Sequence, residues 1–413
     1  MTTTKIQDLL HRMVDCGASD LHLKAGNRAG FRIDGEICPQ EDTGPFEASN
    51  ILGFAKDMMT RDQLERFENE LDLDFSYEVE GLARFRVNVL TQRGSPGLVI
   101  RQIPTKIPTA EQLCLPEVCI ELAGKPRGLV LVTGPTGSGK STTLAAMIDW
   151  INRNRHGHIL TMEDPIEFVH EDKGCFVTQR QIGQDTKGFN EALRRALRQD
   201  PDVILIGEMR DLETIALAIS AAETGHLVFG TLHTTGAIST VDRILDVFPP
   251  DQQQQVRVQL SSSLQGVISQ CLLPRMGGGR VAAHEILVAT SAVRSLIREG
   301  KTPQILNVLQ TGSKSGMASL ENVLARYVRE RIVELDHAIE KANRPDEVVK
   351  LAGEAAMGSA SSGTQSATDS RSQLGALPQD RDASRPGENQ GRRRTDIASN
   401  EDPALRAFRP RRA

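Results

Sequence analysis

The stretch GLVLVTGPTGSGKSTTLAAMIDW, residues 128–150, decides the fold. It opens with an uncharged apolar run of the kind that forms a strand buried on both faces. Gly134, Pro135, Thr136, Gly137, Ser138, Gly139, Lys140 and Ser141 then satisfy G-x-x-x-x-G-K-[ST] at every fixed position, and Thr142 leads into a helical pattern. Glycines let successive backbone N–H groups turn toward one point. The helix N-terminus adds the positive end of its dipole, so strand, loop and helix together make a phosphate cradle. In that cradle Lys140 reaches the β- and γ-phosphates of ATP, and Ser141 ligates Mg²⁺. A glycine-rich turn matching by chance would lack the flanking strand and helix.

Working outward, DPDVILIGEMRD supplies a second apolar strand, Val203–Ile206, followed by Gly207 and Glu208. A carboxylate emerging there, beside a P-loop, is placed to polarise the attacking water; a solvated strand end is the plainer reading. ILTMEDPIEF supplies a third strand, His158–Met162, ending in Glu163 and Asp164. Carboxylates clustered beside a triphosphate repel it unless a metal ion or water lies between them. Glu163 therefore takes a catalytic or metal-water role, and Glu167 a weaker one. HLVFGTLHTT reads as one more strand of the same sheet. His233 would lie at the carboxyl end, where open α/β sheets bind ligand, and His226 at the opposite edge, where it would fix sheet or subunit packing. The alternative for each is a hydrogen-bonded structural histidine.

Fully apolar strands alternating with helical stretches from about residue 120 indicate a parallel sheet covered by helices. Helical patterns continue from about residue 251 to 351. Residues 1 to about 100 differ: ASDLHLKAG, ARFRVNVLTQRG and GLVIRQI alternate polar and apolar as half-buried antiparallel strands do. Ile6, Leu9, Leu10, Met13 and Val14 fit one face of a preceding helix. The expected organisation is an α+β domain over 1–103, a Pro-containing linker over 104–119, an α/β ATPase domain with C-terminal helices over 120–350, and a tail over 351–413. That tail is rich in Ser, Gly, Pro and Arg and is expected to be disordered, because it cannot bury enough apolar surface to offset its ordering entropy.

Composition sets limits. The 413 residues carry 49 basic and 54 acidic side chains, a net charge of −5, so no overall basic field draws the chain to nucleic acid. Aromatics are 4%, too few for base stacking. The apolar runs are too short to span a bilayer and the N-terminus does not read as a signal peptide. The six cysteines include no C-x-x-C pair, which points to reduced thiols and away from a zinc knuckle.

These boxes, in this order, resemble the secretion ATPases of the type II/type IV pilus superfamily, and within it the pilus retraction (twitching motility, PilT-like) ATPases. GPTGSGKSTT resembles their Walker A, ILTMEDPIEF their Asp box, LRQDPDVILIGEMRD their Walker B and GHLVFGTLHTTGAISTVDR their His box. AVRSLIREG, from Ala292, resembles the retraction-class motif, with Val293 and Ser295 as departures. The similarity covers about residues 1–345. It implies an N-terminal PAS-like domain, a RecA-like ATPase domain, and a homohexamer that hydrolyses ATP with Mg²⁺. It further implies a cytoplasmic motor at the inner face of the inner membrane, associated peripherally with a pilus platform protein and driving pilus retraction. Glu208 becomes the catalytic glutamate, Glu163 the Asp-box acid, and His226 and His233 the His-box pair. The family's N-terminal-domain arginines act on a neighbouring subunit's phosphates; Arg84, Arg86 and Arg101 lie in the right region, while Arg93 falls in a turn. A related pilus assembly or accessory retraction motor, or a nucleotide-binding regulator without turnover, is the alternative.

Overall fold

The computed structural model describes residues 5–361, apart from 34, 104 and 105. These residues fold around two sheets. The N-terminal sheet is built from β1 (Asp20–Lys24), β2 (Gly30–Ile33), β3 (Glu36–Pro39), β4 (Asp72–Val79), β5 (Ala83–Gln92) and β6 (Ser95–Ile103), in the order β3-β2-β1-β6-β5-β4 and antiparallel throughout. The expected helix is α1 (Ile6–Asp15), with Ile6, Leu9, Leu10 and Met13 buried. Two more helices, α2 (Ala48–Met58) and α3 (Arg61–Glu70), stand between β3 and β4.

Alternation along β5 sorts its side chains by face. Phe85, Val87 and Val89 enter a core shared with α1 and α2, while Arg84, Arg86 and Asn88 point away from it. Arg93 and Gly94, both at positive φ (49° and 73°), make the tight turn from β5 to β6, as a two-residue hairpin of matching twist requires.

The second sheet contains β7 (Gly128–Thr133), β8 (Gly157–Glu163), β9 (Cys175–Gln181), β10 (Val203–Ile206), β11 (Leu227–Leu232), β12 (Leu264–Pro274) and β13 (Arg280–Val288). Its order is β13-β12-β7-β11-β10-β8-β9, parallel except for the β12–β13 pair. Every residue of β7, β10 and β11 is buried. Leu129 and Leu131 enter the apolar layer on one face of the sheet, Val130 and Val132 the layer on the other. That two-sided burial is why these strands read as unbroken apolar runs.

Helices α4 (Glu117–Ala123), α5 (Lys140–Asn154), α6 (Phe189–Ala196), α7 (Leu212–Glu223), α8 (Ala237–Asp246) and α9 (Pro250–Ser263) accompany the sheet. Then come α10 (Ser291–Arg298), α11 (Ile305–Thr311), α12 (Leu320–Arg329), α13 (Leu335–Lys341) and α14 (Pro345–Ser361). Among the described residues, no helix is long and apolar enough to cross a membrane.

Three expectations change. The stretch 251–351 is not continuously helical, because β12 and β13 interrupt it. The segment 104–119 ends inside α4, which begins at Glu117. Helix α14 carries on through Ser361, so residues 351–361 are helical; the rest of the tail, 362–413, lies outside the described residues.

Candidate functional site

The carboxyl ends of β7, β8, β10 and β11 converge on one cavity of about 470 Å³. The Walker A loop forms its floor. Gly134 adopts φ 141°, and a Cβ there would come within 2.3 Å of the Gln270 carbonyl oxygen on β12, so only glycine lets the loop pass. The Gln270 side chain braces the same loop by donating from Nε2 to the Ser138 carbonyl at 2.6 Å. Gly139 precedes α5, so Lys140 stands in the helix's first turn with its Nζ donating to the carbonyls of Gly134 (2.9 Å) and Pro135 (3.2 Å). Burial pushes the Lys140 ammonium below its ordinary pKa, against the pull of Glu208 and Glu167. Thr136, Gly137, Gly139, Ser141 and Thr142 line the cavity; Gly134, Pro135 and Ser138 shape the loop beneath it.

Glu163 ends β8 and faces the same space. Its Oε1 accepts from Thr161 Oγ1 at 2.6 Å and from Gln179 Nε2 at 3.1 Å. Burial nonetheless raises its pKa, because the two donors recover only part of the lost hydration. Glu208 follows Gly207, whose position is cramped: a Cβ would sit 3.1 Å from both the Glu163 Cα and the Met162 carbonyl. A side chain there requires the Met162–Glu163 backbone to give by a few tenths of an ångström.

The Glu208 carboxylate meets His233 Nε2 at 2.8 Å and pairs with Arg210 through the same oxygen, Oε1. Burial works to raise the Glu208 pKa, and Arg210 with His233 outweighs it, leaving the group below the ordinary carboxylate value. Glu167 also lines the cavity.

His233 and Glu208 thus come together, and both share the cavity with Lys140, Ser141 and Glu163. His226 does not. It sits just before β11, at the far edge of the sheet, where its carbonyl accepts from Gly128 N at 3.0 Å and its Nδ1 lies 2.9 Å from the Ala221 carbonyl. The physical reason is the parallel register: β7 and β11 start side by side, so a residue before one is near the start of the other, a full strand length from the P-loop.

The N-terminal sheet forms the opposite wall. Arg86 and Arg101 line the cavity from β5 and β6 of the same chain. The resemblance implied that such arginines serve a neighbouring subunit; in the fold they face the chain's own Walker A loop. A latch explains this. Gln181, at the end of β9 and buried, accepts from Ser76 Oγ of β4 at 2.7 Å and from Arg84 Nη2 at 3.2 Å, which holds the outer face of the N-terminal sheet against the second sheet. Arg84 is therefore spent on the latch. Arg86 pairs with Asp74 at 3.4 Å and Arg101 with Asp20 at 2.7 Å.

Sequence reading passed over Gln179, Arg210, Gln270, Gln181 and Arg280, the last of which starts β13 and also lines the cavity. Arg210 had one local signal, its place two residues after Glu208; the others reach the site only through strand pairing.

Four similarities bear on this geometry. A family profile described as "Type II/IV secretion system protein" matches residues 2–278. A Pseudomonas aeruginosa protein named type IV pilus retractation ATPase PilT is 54% identical over 341 residues, 83% of this chain and 99% of that one. A second P. aeruginosa protein, type IV pilus ATPase PilU, is 38% identical over 365 residues, 87% of this chain and 95% of that one. A crystal structure described as the pilus retraction motor PilT with bound ADP superposes with a TM-score of 0.80 at 46% identity, covering 84% of this chain and 99% of that chain. The chain belongs to the type II/IV secretion system protein family.

Proposed function

We propose that this chain is an ATP-hydrolysing motor of type IV pilus retraction, working as a homohexamer at the inner face of the inner membrane against a pilus platform protein. Its parts are an N-terminal PAS-like domain, residues 1–103, and a RecA-like ATPase domain that begins near residue 120. The family membership and the names of the relatives support the biological setting. The chemistry rests on one observation: Glu208, hydrogen-bonded to His233, shares a cavity with Lys140 at the mouth of a Walker A loop.

Reaction is an in-line attack of water on the γ-phosphorus of ATP. Glu208 is the ionised group that orients the water, and its depressed pKa keeps it ionised through neutral pH. Lys140 places its ammonium on the β- and γ-phosphates once its contacts to the Gly134 and Pro135 carbonyls are exchanged for phosphate oxygens. Ser141 and Glu163 offer the hard oxygen donors that suit Mg²⁺, and the carboxylate is already oriented by Thr161 and Gln179. Bound there, the cation neutralises charge developing on the phosphates. Arg86 and Arg101 supply cations from the opposite wall. His233 touches Glu208 and so senses the γ-phosphate through it. His226 serves the packing at the start of β7 and β11.

The test is steady-state ATP hydrolysis and solution mass of the purified chain beside Glu208→Gln. A hexamer-sized enzyme with turnover, and a variant that binds nucleotide without hydrolysing it, is the expected result. A nucleotide-bound ring with no turnover in either form would instead establish a regulator. A deletion strain separates retraction from assembly: loss of retraction force is expected, and loss of pili would redirect the assignment.

A further inference from the structure

The C-terminal helices reach the catalytic wall through one buried carboxylate. Glu285 lies on β13, 6% exposed. Its Oε1 accepts from Ala237 N, the first residue of α8, at 2.7 Å. Its Oε2 accepts from Leu320 N, the first residue of α12, at 3.4 Å. Helix α8 is preceded by Gly236 and has no side-chain cap of its own, so its cap comes from a different strand. The start of α12 is brought there by a bridge between Ile286 and Ala318, with N–H···O distances of 2.8 and 3.1 Å.

The segment entering α8 is the one that carries His233. It is tied at two other points. Thr240 Oγ1 donates to the Gly236 carbonyl at 2.6 Å and lies 3.4 Å from Thr133 Oγ1, the residue before the Walker A loop. Asn343 Nδ2 donates to the Thr235 carbonyl at 3.4 Å, from the turn that begins α14. Its neighbour Arg344 pairs with Glu321 of α12 at 2.7 Å. One connected set of hydrogen bonds therefore runs from α12 and α14 through Glu285 to the His233 segment, and His233 contacts Glu208.

A buried carboxylate is a costly way to gain stability alone, since apolar packing of equal volume avoids the desolvation. Here burial does raise the Glu285 pKa, opposed first by the two backbone N–H donors. What the carboxylate gives that an apolar side chain cannot is two acceptors fixed at two helix starts at once.

We propose that Glu285 is a positioning residue for hydrolysis: it registers the start of α8 against α12, so that His233 meets Glu208 only when the C-terminal helices are seated. This deepens the hydrolytic reading and rests on it. The test is a double-mutant cycle on the full-length chain, combining Glu285→Gln with His233→Ala and reading single-turnover and steady-state ATP hydrolysis. Glutamine keeps the volume and accepts at one oxygen only, so one helix start loses its cap.

The expected result is a roughly five- to tenfold fall in kcat with KM for ATP within about twofold, and less than about twofold further loss in the His233→Ala background. Additive losses overturn the proposal, because a residue that merely stabilises the fold acts independently of His233. An unchanged Glu285→Gln overturns it too. Should Glu285→Gln fail to fold, judged by helix content and ADP affinity, exposed Asn343→Ala probes the same segment in the same cycle, with a loss of about two- to threefold expected and its absence counting against the proposal. A wild-type chain without turnover sinks the hydrolytic reading itself; an active wild type with an unresponsive Glu285→Gln sinks this inference alone.

Discussion

On the strand-end wall of the cavity, Glu163 accepts from Thr161 and Gln179, Glu208 is held by His233 and Arg210, and Gln270 braces the loop below Lys140. On the facing wall, Arg86 and Arg101 extend from β5 and β6 with side chains 43% and 65% exposed, each paired with a carboxylate of its own sheet. The first wall is fixed by short bonds: Thr161 shares the strand of Glu163, Gln179 and His233 reach in from neighbouring strands or their ends, and the exposed Arg210 follows Glu208 by two residues. The second holds Arg86 in an exposed pair with Asp74 worth about 0–1 kcal/mol, so a phosphate can draw it off cheaply; Arg101 pairs with the buried Asp20, which keeps Ser19 and Arg32 as partners when Arg101 leaves. Chemistry is preset on one side and recruited from the other. The Gln181 latch bonds the two sheets to one another beside that cleft.

The largest effect should come from the fixed wall. Glu208→Gln is expected to lower kcat by about 10²–10⁴-fold while nucleotide affinity stays near that of wild type. A loss under about tenfold would mean that water is oriented elsewhere, with Glu163 next to be tested.

Acid should attack the same sheet. His284 on β13 and His170 in the connection between β8 and β9 are buried, and burial pushes each down to about 4. The unfolded chain binds a proton at each near pH 6.5 and the folded one only near pH 4, so their neutral burial becomes a liability as pH falls through that window. His284→Gln should remove up to about 3 kcal/mol of that acid loss by pH 4, read from urea midpoints across pH. An unchanged slope would show the ring accommodates its charge.

Arg101→Ala should lower kcat by about 10- to 100-fold, since an arginine reserved for the transition state costs rate more than affinity. If KM for ATP rises instead with kcat unchanged, the recruited wall binds the ground state and the contrast between the walls disappears. Gln181→Ala should have the smallest effect, a rise in KM of about two- to fivefold from two sheets no longer bonded to one another beside the cleft. Its signature is that kcat with saturating ATP stays within about twofold of wild type.

Much of the fixed wall was legible in the sequence because its parts are local: Gly134–Ser141 is one continuous motif, and Glu163, Glu208 and His233 each follow an apolar run. Its supports were not legible. Gln270 meets Ser138 across 132 residues of chain, and Glu163 meets Gln179 only because β9 pairs with β8 in register.

Strand β12 was hidden by its own pattern. Leu260, Leu264, Val267, Ile268 and Cys271 recur at helical spacing, and β12 starts at Leu264 directly after the last residue of α9, with no turn residue between. A strand buried on both faces has no alternation to betray it. The same-chain placement of Arg86 and Arg101 was equally beyond sequence, since it depends on a latch whose glutamine carries no motif.

That latch is an amide accepting from a hydroxyl and a guanidinium, whereas the arginine–carboxylate pairs beside it are attractions between full charges. Dissolved ions reach the two differently. At an ionic strength of about 0.1 M the screening length is about 10 Å, and exposed ion pairs weaken further as salt is added, while a buried amide hardly responds. Salt should therefore bleach the exposed charge pairs of the cleft while leaving the latch in place. A titration with potassium chloride can then vary the electrostatic contribution of the exposed pairs, Arg86–Asp74 and Arg210–Glu208 alike, at constant geometry, without altering a single residue.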